Sequence, residues 1–196
     1  MAYGLRAVDG AIGGSGYRHM GPTEYPIADG DTVSIYNGDF VNRLATGYVA
    51  RPNDATGEQP IAANPVLGVA GGCRYTDVNG TVHWSNHYPG GAGNTNAFIM
   101  VHEDPDQVFM IESDGDTTFA DVGDNAEIAT FGAGSDLTGL SAITLDHSGI
   151  AQTSTFALRV VGVPEDGTNE LLTSAKNVLV RIMPGVHQNV LADQIP

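Results

Sequence analysis

Cysteine is nearly absent from this 196-residue sequence, in which Cys73 stands alone. A single cysteine excludes an internal disulfide and any metal site built from several thiolates. Cys73 ends the apolar run of residues 66–73. We therefore expect a buried, unreactive thiol and not a nucleophile.

Positive charge is scarce as well. Seven arginines and one lysine, Lys176, stand against 23 acidic residues, and the formal net charge is −15. Nucleic-acid binding depends on Lys and Arg side chains that neutralise phosphates, so the composition predicts no nucleic-acid partner. Anionic membrane surfaces are disfavoured for the same reason.

Long apolar runs are missing, and no stretch approaches the length of a membrane-spanning helix. The opening residues 1–6 lack the charged segment followed by an apolar one that marks a secretory signal. We expect a protein with no membrane partner that is made in the cytoplasm and is not exported by the general secretion route.

Helical periodicity is rare, whereas 26 glycines and 10 prolines punctuate the chain. This pattern is typical of short strands joined by turns. Asn37–Gly38 and Asn79–Gly80 lie between alternating segments and predict two hairpins, the second with a two-residue turn. Residues 169–176 could form two helical turns or a loop. The predicted strands cover residues 32–36, 40–44, 66–78, 81–86, 97–102, 108–112, 121–128, 141–145, 155–163 and 177–183.

The expected fold class is all-β, with a single β-barrel or β-sandwich domain and long loops over residues 25–183. Residues 1–24 are rich in glycine and carry little periodic hydrophobicity. They predict an extended N-terminal arm that lies against another subunit. Residues 184–196 form a short C-terminal tail in this interpretation.

The arm carries side chains suited to binding a partner, since Tyr and Arg are enriched where proteins meet. These candidates are Tyr3, Arg6, Tyr17 and Arg18. Each arginine of so acidic a chain is expected to pair with a carboxylate, within the fold or at an interface. Arg159 and Arg181 lie inside predicted strands, so we expect them to brace the domain itself.

Patterns for catalysis are weak. The glycine pairs in residues 91–94 and 132–135 lead to neither a P-loop lysine nor a third glycine. Asp146–Ser148 holds the three residue types of a catalytic triad in a row. Adjacent strand residues face opposite sides, however, whereas a triad must converge in space. We predict no catalytic residues and no cofactor.

Metal binding is the other chemistry that the histidines raise. His83 and His87 are four residues apart, which is about 13 Å along a strand and too far to share one zinc ion without a sharp turn. His102 precedes the acidic residues 103–106, and the acidic segment 114–116 could add oxygen ligands for calcium. Neither segment matches a calcium-loop pattern, so a solvated loop is the default and no metal site is predicted.

Trp84 is the only tryptophan. It could pack in the core, anchor a protein interface, or form a carbohydrate-stacking surface with His83, His87, Tyr75 and Tyr88. We assign Trp84 and Tyr88 to partner binding.

Nine short segments occur in an order that resembles a known family. They are Met1–Arg6, Tyr25–Ile27, Ile35–Val41, Val66–Val69, Gly72–Asp77, Trp84–Asn86, Asp104–Phe109, Leu158–Gly162 and Val178–Ile182. Together they resemble the small structural proteins of tailed bacteriophages that decorate and cement the capsid shell. The likeness covers most of the chain, but its motifs are turns and strand cores.

The resemblance implies a β-rich virion protein bound in many copies to the outer surface of the capsid, with the major capsid protein as its partner. Such proteins often form small homo-oligomers, more commonly trimers than dimers, that bridge neighbouring capsomers. It implies no catalytic residues. Two alternatives from other classes stay open: a carbohydrate-binding module on a virion or cell surface that uses Trp84, and a small β-barrel hydrolase around His102.

Overall fold

The structure is a computed structural model that describes residues 2–8, 21–52, 65–130, 134–164 and 175–188. These residues are almost entirely strands and loops, with a short 3-10 helix at Phe119–Asp121. The predicted all-β fold class is therefore confirmed. The strands are β1 (Arg6–Ala7), β2 (Thr23–Pro26), β3 (Phe40–Arg43), β4 (Val49–Ala50), β5 (Gly68–Thr76), β6 (Val82–Ser85), β7 (Thr95–His102), β8 (Phe109–Thr117), β9 (Asn125–Thr130), β10 (Gly134–Ser135), β11 (Leu140–Ser141), β12 (Thr144–Ala151), β13 (Leu158–Gly162) and β14 (Ala175–Ile182).

Five strands close into a small barrel. The order is β8, β12, β9, β13 and β14, and β14 pairs again with β8. Alternation along these strands places apolar side chains such as Phe109, Ile111 and Val160 in the barrel core. Closure of the sheet satisfies the backbone groups that an open edge would expose.

A second sheet lies beside the barrel, in the order β2, β7, β5, β3 and β4. β5 is long enough to pair with β7 on one side and with both β3 and β6 on the other. A separate apolar cluster, which includes Ile35, Leu67 and Ile99, covers the inner side of this sheet.

β3 and the beginning of β5 are shared between the two cores. Phe40 and Val69 belong to the barrel core, whereas Val41 and Ala70 belong to the second one. A strand buried on both sides needs apolar residues at every position. This explains the uninterrupted apolar run of residues 66–73.

The first residues of the chain fold onto the barrel. β1 pairs antiparallel with β8, and Leu5 is 1% exposed within the barrel core. Residues 2–8 are therefore not an arm separate from the domain, as was predicted for residues 1–24, because Leu5 is buried within its own chain. Contact of this segment with another subunit stays a prediction. Residues 9–20 lie outside the described residues.

The beginning of the predicted C-terminal tail also belongs to the domain. Val66 donates its N–H to the carbonyl oxygen of Val186 at 2.9 Å. Val186 and His187 are both buried. The tail predicted for residues 184–196 therefore starts too early, and residues 189–196 lie outside the described residues.

The hairpin predicted at Asn79–Gly80 is present, since β5 and β6 pair antiparallel. Its turn is longer than predicted. Asp77 donates its N–H to the Thr81 carbonyl oxygen at 2.9 Å and accepts the Gly80 N–H at 3.0 Å, which leaves three residues in the loop. Among these three, Gly80 alone has a positive φ, +79°, as in a type I turn followed by a bulge.

Asn37–Gly38 forms a tight turn but no hairpin. Asp39 donates its N–H to the carbonyl oxygen of Tyr36 at 3.0 Å, and Gly38 has φ +94°. The flanking segments pair elsewhere, Ile35 with Tyr88 and β3 with β5. The hairpin prediction is wrong here because each flank has a longer-range partner.

Candidate interaction surface

The outer side of the second sheet carries an exposed aromatic and charged row. Trp84 on β6 lies opposite Arg74 on β5, and Arg74 lies opposite Phe98 on β7. Directly opposed residues of antiparallel strands share one face of the sheet. We call this side the tryptophan face, defined by Glu24, Arg74, Val82, Trp84 and Phe98.

Trp84 is the most prominent residue of the tryptophan face. β6 alternates exposed and half-buried residues, so Val82 and Trp84 point outward together. Val82 is 59% exposed and Trp84 is 70% exposed. Of the alternatives considered for Trp84, packing in the core is therefore excluded, because the side chain is exposed.

Arg74 is held in place by two neighbours. Its Nε lies 2.6 Å from Oε1 of Glu24, and its guanidinium carbon lies 4.0 Å from the centre of the Phe98 ring. An exposed ion pair of this kind contributes only about 0–1 kcal/mol to stability. The main effect of the ion pair is to fix the planar guanidinium of Arg74, which is partly exposed, on the same face of the sheet as Trp84.

The hairpin tip next to the tryptophan face is fixed by Asp77. The carboxylate accepts the N–H groups of Asn79 and Thr81, each at 2.9 Å, and lies 3.0 Å from Nε2 of His83. The bond to His83, followed by the one from Thr81, lowers the pKa of Asp77 to about 2. Val78, at this tip, is 75% exposed.

Tyr75, His83 and Tyr88 lie on the opposite side of the sheet from Trp84. Tyr75 stacks on His83 with ring centres 5.2 Å apart, and it meets Tyr88 edge to face at 5.8 Å. Tyr88 is fully buried, and its hydroxyl donates to the carbonyl oxygen of Asp31 at 2.9 Å. The assignment of Tyr88 to partner binding is therefore wrong, as is the predicted cluster of these rings around Trp84, because strand alternation separates them.

Tyr3 and Arg6 lie on the barrel. The Tyr3 hydroxyl donates to Oδ1 of Asn177 at 2.7 Å, and the Arg6 guanidinium carbon lies 5.4 Å from the centre of the Tyr3 ring. They therefore belong to a different sheet from Trp84, and the structure does not bring the predicted binding residues into one site. Tyr17 and Arg18 lie outside the described residues.

The acidic segment around His102 is occupied by internal contacts. Glu103 accepts the Tyr25 hydroxyl at 2.6 Å, and Asp104 accepts the N–H of Asp106 at 2.8 Å. Asp106 also pairs with Arg181. Within the described residues, no three His, Cys, Asp or Glu side chains converge as a metal site would require.

The triad residue types at Asp146–Ser148 lie within β12, where its pairing with β9 becomes irregular. Ser148 donates its hydroxyl directly to Oδ1 of Asp146 at 2.7 Å, and the His147 N–H donates to Asp114. A triad needs the imidazole between the other two groups. This arrangement cannot pass a proton from Ser148 through His147 to Asp146.

The arginines divide into two groups. Arg51 pairs with the buried Asp39, Arg74 with Glu24, and Arg181 with Asp106. Burial raises the pKa of Asp39, with bonds from Ser141, Tyr36 and Arg51 opposing that shift. The described residues offer no carboxylate partner to three other arginines, which are Arg6, Arg43 and Arg159.

The sequence indicated Trp84 as a binding residue but not the residues beside it on the tryptophan face. Arg74, Phe98 and Glu24 are far apart in the sequence, and only the strand register brings them together. The alternation of residues in β5 and β7 could have indicated their outward direction. It could not have indicated which strands are neighbours.

No helix in the described part of the chain has the length and apolar character needed to cross a membrane. Comparison with known proteins found no protein-family model, no curated protein and no solved structure that matches this chain.

Proposed function

We propose that this chain is a structural virion protein that attaches to the outer surface of a phage capsid through the tryptophan face and cements neighbouring major capsid protein subunits. The observation that carries the proposal is the outward position of Trp84 on a sheet surface, 70% exposed and beside the exposed Val82. The resemblance of the sequence to capsid decoration proteins supplies the class of partner.

The physical argument is the free energy available on docking. A tryptophan side chain buries about 150–250 Å² when it is fully covered. At roughly 25 cal/mol per Å² of apolar surface, covering the exposed part of Trp84 would contribute on the order of 2–4 kcal/mol. Trp and Arg at the centre of an interface are the residue types that most often dominate binding.

Rigidity of the surface supports the same function. Glu24 and Phe98 fix Arg74, and the Asp77 turn fixes the hairpin tip. Side chains that are already ordered lose less conformational entropy on binding. A surface prepared in this way suits permanent attachment to a repeating shell.

Charge supports a location away from the genome. The net charge of −15 repels nucleic acid, whereas a position outside the shell requires no contact with it. In this proposal the protein has no catalytic activity and forms a homo-oligomer, a trimer in preference to a dimer. Molar mass by light scattering would test the oligomeric state.

Carbohydrate binding is the second candidate, because an exposed indole also stacks on sugar rings. The neighbours of Trp84 favour protein docking. Val82 is apolar, and the polar groups of Arg74 and Glu24 already bind each other. A sugar site needs polar groups aimed at hydroxyls beside the ring.

The proposal is tested by co-sedimentation with empty shells assembled from the major capsid protein of the same virus. Trp84→Ala should weaken binding at least about 30-fold, which corresponds to a hot-spot loss of 2 kcal/mol or more. Phe119→Ala is the matched control, since Phe119 is 69% exposed on the 3-10 helix, and it should bind as the unmodified protein does. Equal binding by both variants would overturn the role of the tryptophan face. Failure of the unmodified protein to bind shells, together with Trp84-dependent retention on a glycan array, would replace the proposal by carbohydrate binding.

A further inference from the structure

Two arginines lie directly opposite each other on the outside of the barrel. Arg159 on β13 is paired in register with Arg181 on β14. The residues on either side of each arginine, Leu158 and Val160 on β13 and Val180 and Ile182 on β14, are buried, so alternation directs both arginines outward. Asn125 on β9 lies opposite Arg159 and extends this row.

The two like charges have one carboxylate partner between them in the described part of the chain. Like charges directly opposite each other on adjacent strands are destabilising. Asp106 pairs with Arg181, but Arg159 is exposed and contacts no carboxylate in the described part of the chain. Within the described residues Arg159 therefore lacks the carboxylate partner that was expected to let it brace its own domain, whereas Arg181 has one in Asp106.

A hollow adjoins the arginine pair. It has a volume of about 260 Å³ and is open to solvent. Its walls combine the two arginines with valine side chains and one glycine, which adds no side chain. The lining residues are Val122, Gly123, Arg159, Val160, Val161 and Arg181.

We propose that the Arg159–Arg181 hollow binds one compact oxyanion, which is either a free phosphate or a carboxylate group presented by another molecule. A guanidinium forms forked, charge-assisted hydrogen bonds with both groups. An extended polyanion is disfavoured because the whole molecule carries a charge of −15.

The test is a titration of the full chain followed by amide chemical shifts, with chloride added to hold the ionic strength constant. Sodium phosphate is one probe and N-acetylglutamate amide, which carries a single carboxylate, is the other. Saturable shifts around Arg159 with either probe support the site, and the tighter probe identifies the source of the oxyanion. The absence of a saturable shift with either probe up to about 100 mM, which is well above a millimolar Kd, would overturn the proposed site.

Variants separate the site from nonspecific attraction. Arg159→Gln should lower the affinity for the more tightly bound probe at least about tenfold, because a hydrogen bond to a charged group is lost. Arg43→Gln is the matched control, an exposed strand arginine with no ion pair to a described residue, and it should leave the affinity unchanged. Equal affinities in the two variants would contradict the proposal.

A second readout excludes a purely structural role for Arg159. In chloride alone, Arg159→Gln should melt at the same temperature as the unmodified protein or higher, because a like-charge contact is removed. Arg159→Lys keeps the charge without the fork and should retain intermediate affinity. A lower melting temperature for Arg159→Gln in chloride, with unchanged anion affinity, would identify Arg159 as a brace and overturn the site.

Discussion

At the scale of single residues, burial determines the chemistry of the titratable side chains. Cys73 is buried, and burial raises the pKa of its thiol to about 12, with a bond from the backbone at Ser85 opposing the shift. The prediction of a buried thiol is confirmed. His187 is also buried, and burial lowers the pKa of its imidazole.

Cys73 should resist thiol reagents in the native protein. With a pKa of about 12, only about one molecule in ten thousand carries the thiolate at pH 8, and the thiolate is the reactive form. We expect negligible labelling by a disulfide reagent over an hour at pH 8 and complete labelling in denaturant. Stoichiometric labelling of the folded protein within minutes would contradict the packing described for β5.

His187 should make stability depend on pH in a defined window. Its pKa in the folded state lies below the unfolded value of 6.5, so the unfolded state binds more protons there. The free energy of unfolding therefore rises with pH through this window. The contribution of His187 to stability is lost as the pH falls from about 6.5 through its pKa in the folded state. The carboxylates of Glu103 and Asp104 oppose part of the shift.

The measurement is urea denaturation between pH 5 and pH 7.5. We expect His187→Gln to have a shallower dependence of the unfolding free energy on pH than the unmodified protein, whatever its absolute stability. Parallel curves for the two proteins would show that His187 does not titrate differently in the folded and unfolded states.

At the scale of elements, the β5–β6 hairpin depends on one left-handed residue. Gly80 has φ +79° and no other atom lies within 4 Å of where a Cβ would be. Gly80→Ala should therefore lower the free energy of unfolding through backbone strain alone, by roughly 1–2 kcal/mol, and Gly80→Asn by less. Gly185→Ala, with open space and no positive φ, should be close to neutral in the same thermal melts. Equal melting temperatures for Gly80→Ala and Gly185→Ala would contradict this geometry.

The N-terminal segment should stabilise the domain through Leu5. Truncation of a buried leucine typically costs about 2–5 kcal/mol, so Leu5→Ala should lower the melting temperature strongly. Arg6→Ala is the control on the same segment, because Arg6 is exposed and its contact with Tyr3 contributes about 0.5–1 kcal/mol. A melting temperature for Leu5→Ala no lower than that for Arg6→Ala would restore the interpretation of an undocked arm.

Several elements could be predicted from the sequence because their signals are local. The alternation of apolar and polar residues predicted β7, and the apolar run of residues 66–73 predicted the buried part of β5. The end segments could not be predicted in this way. Leu5 and Val186 are single apolar residues in polar or glycine-rich surroundings, and their burial depends on long-range backbone hydrogen bonds with Gly38 and Val66.

The candidate surface was predictable only in part, for a related reason. The sequence identifies Trp84 as unusual, but its neighbours on the sheet come from strands that are distant along the chain. Tyr88 lies four residues from Trp84 and faces the core, whereas Phe98 lies fourteen residues away and shares its face. Proximity in the sequence is thus a poor guide to the composition of a sheet surface.

At the scale of the whole molecule, the two halves suit different tasks in our proposal. The closed barrel offers a stable body, and the second sheet presents the tryptophan face. The Arg159–Arg181 hollow lies on the barrel and not on this sheet. Docking to a shell and binding of an oxyanion could therefore take place at the same time.

The central claim is tested most directly by electron cryomicroscopy of intact phage particles, with and without this chain. We expect additional density on the outer surface of the shell when the chain is present, with the β5–β6 hairpin and the Trp84 side chain at the contact with the major capsid protein. Particles without the chain should lack that density. Absence of any difference between the two samples, or a bound protein whose Trp84 side faces solvent, would contradict the account.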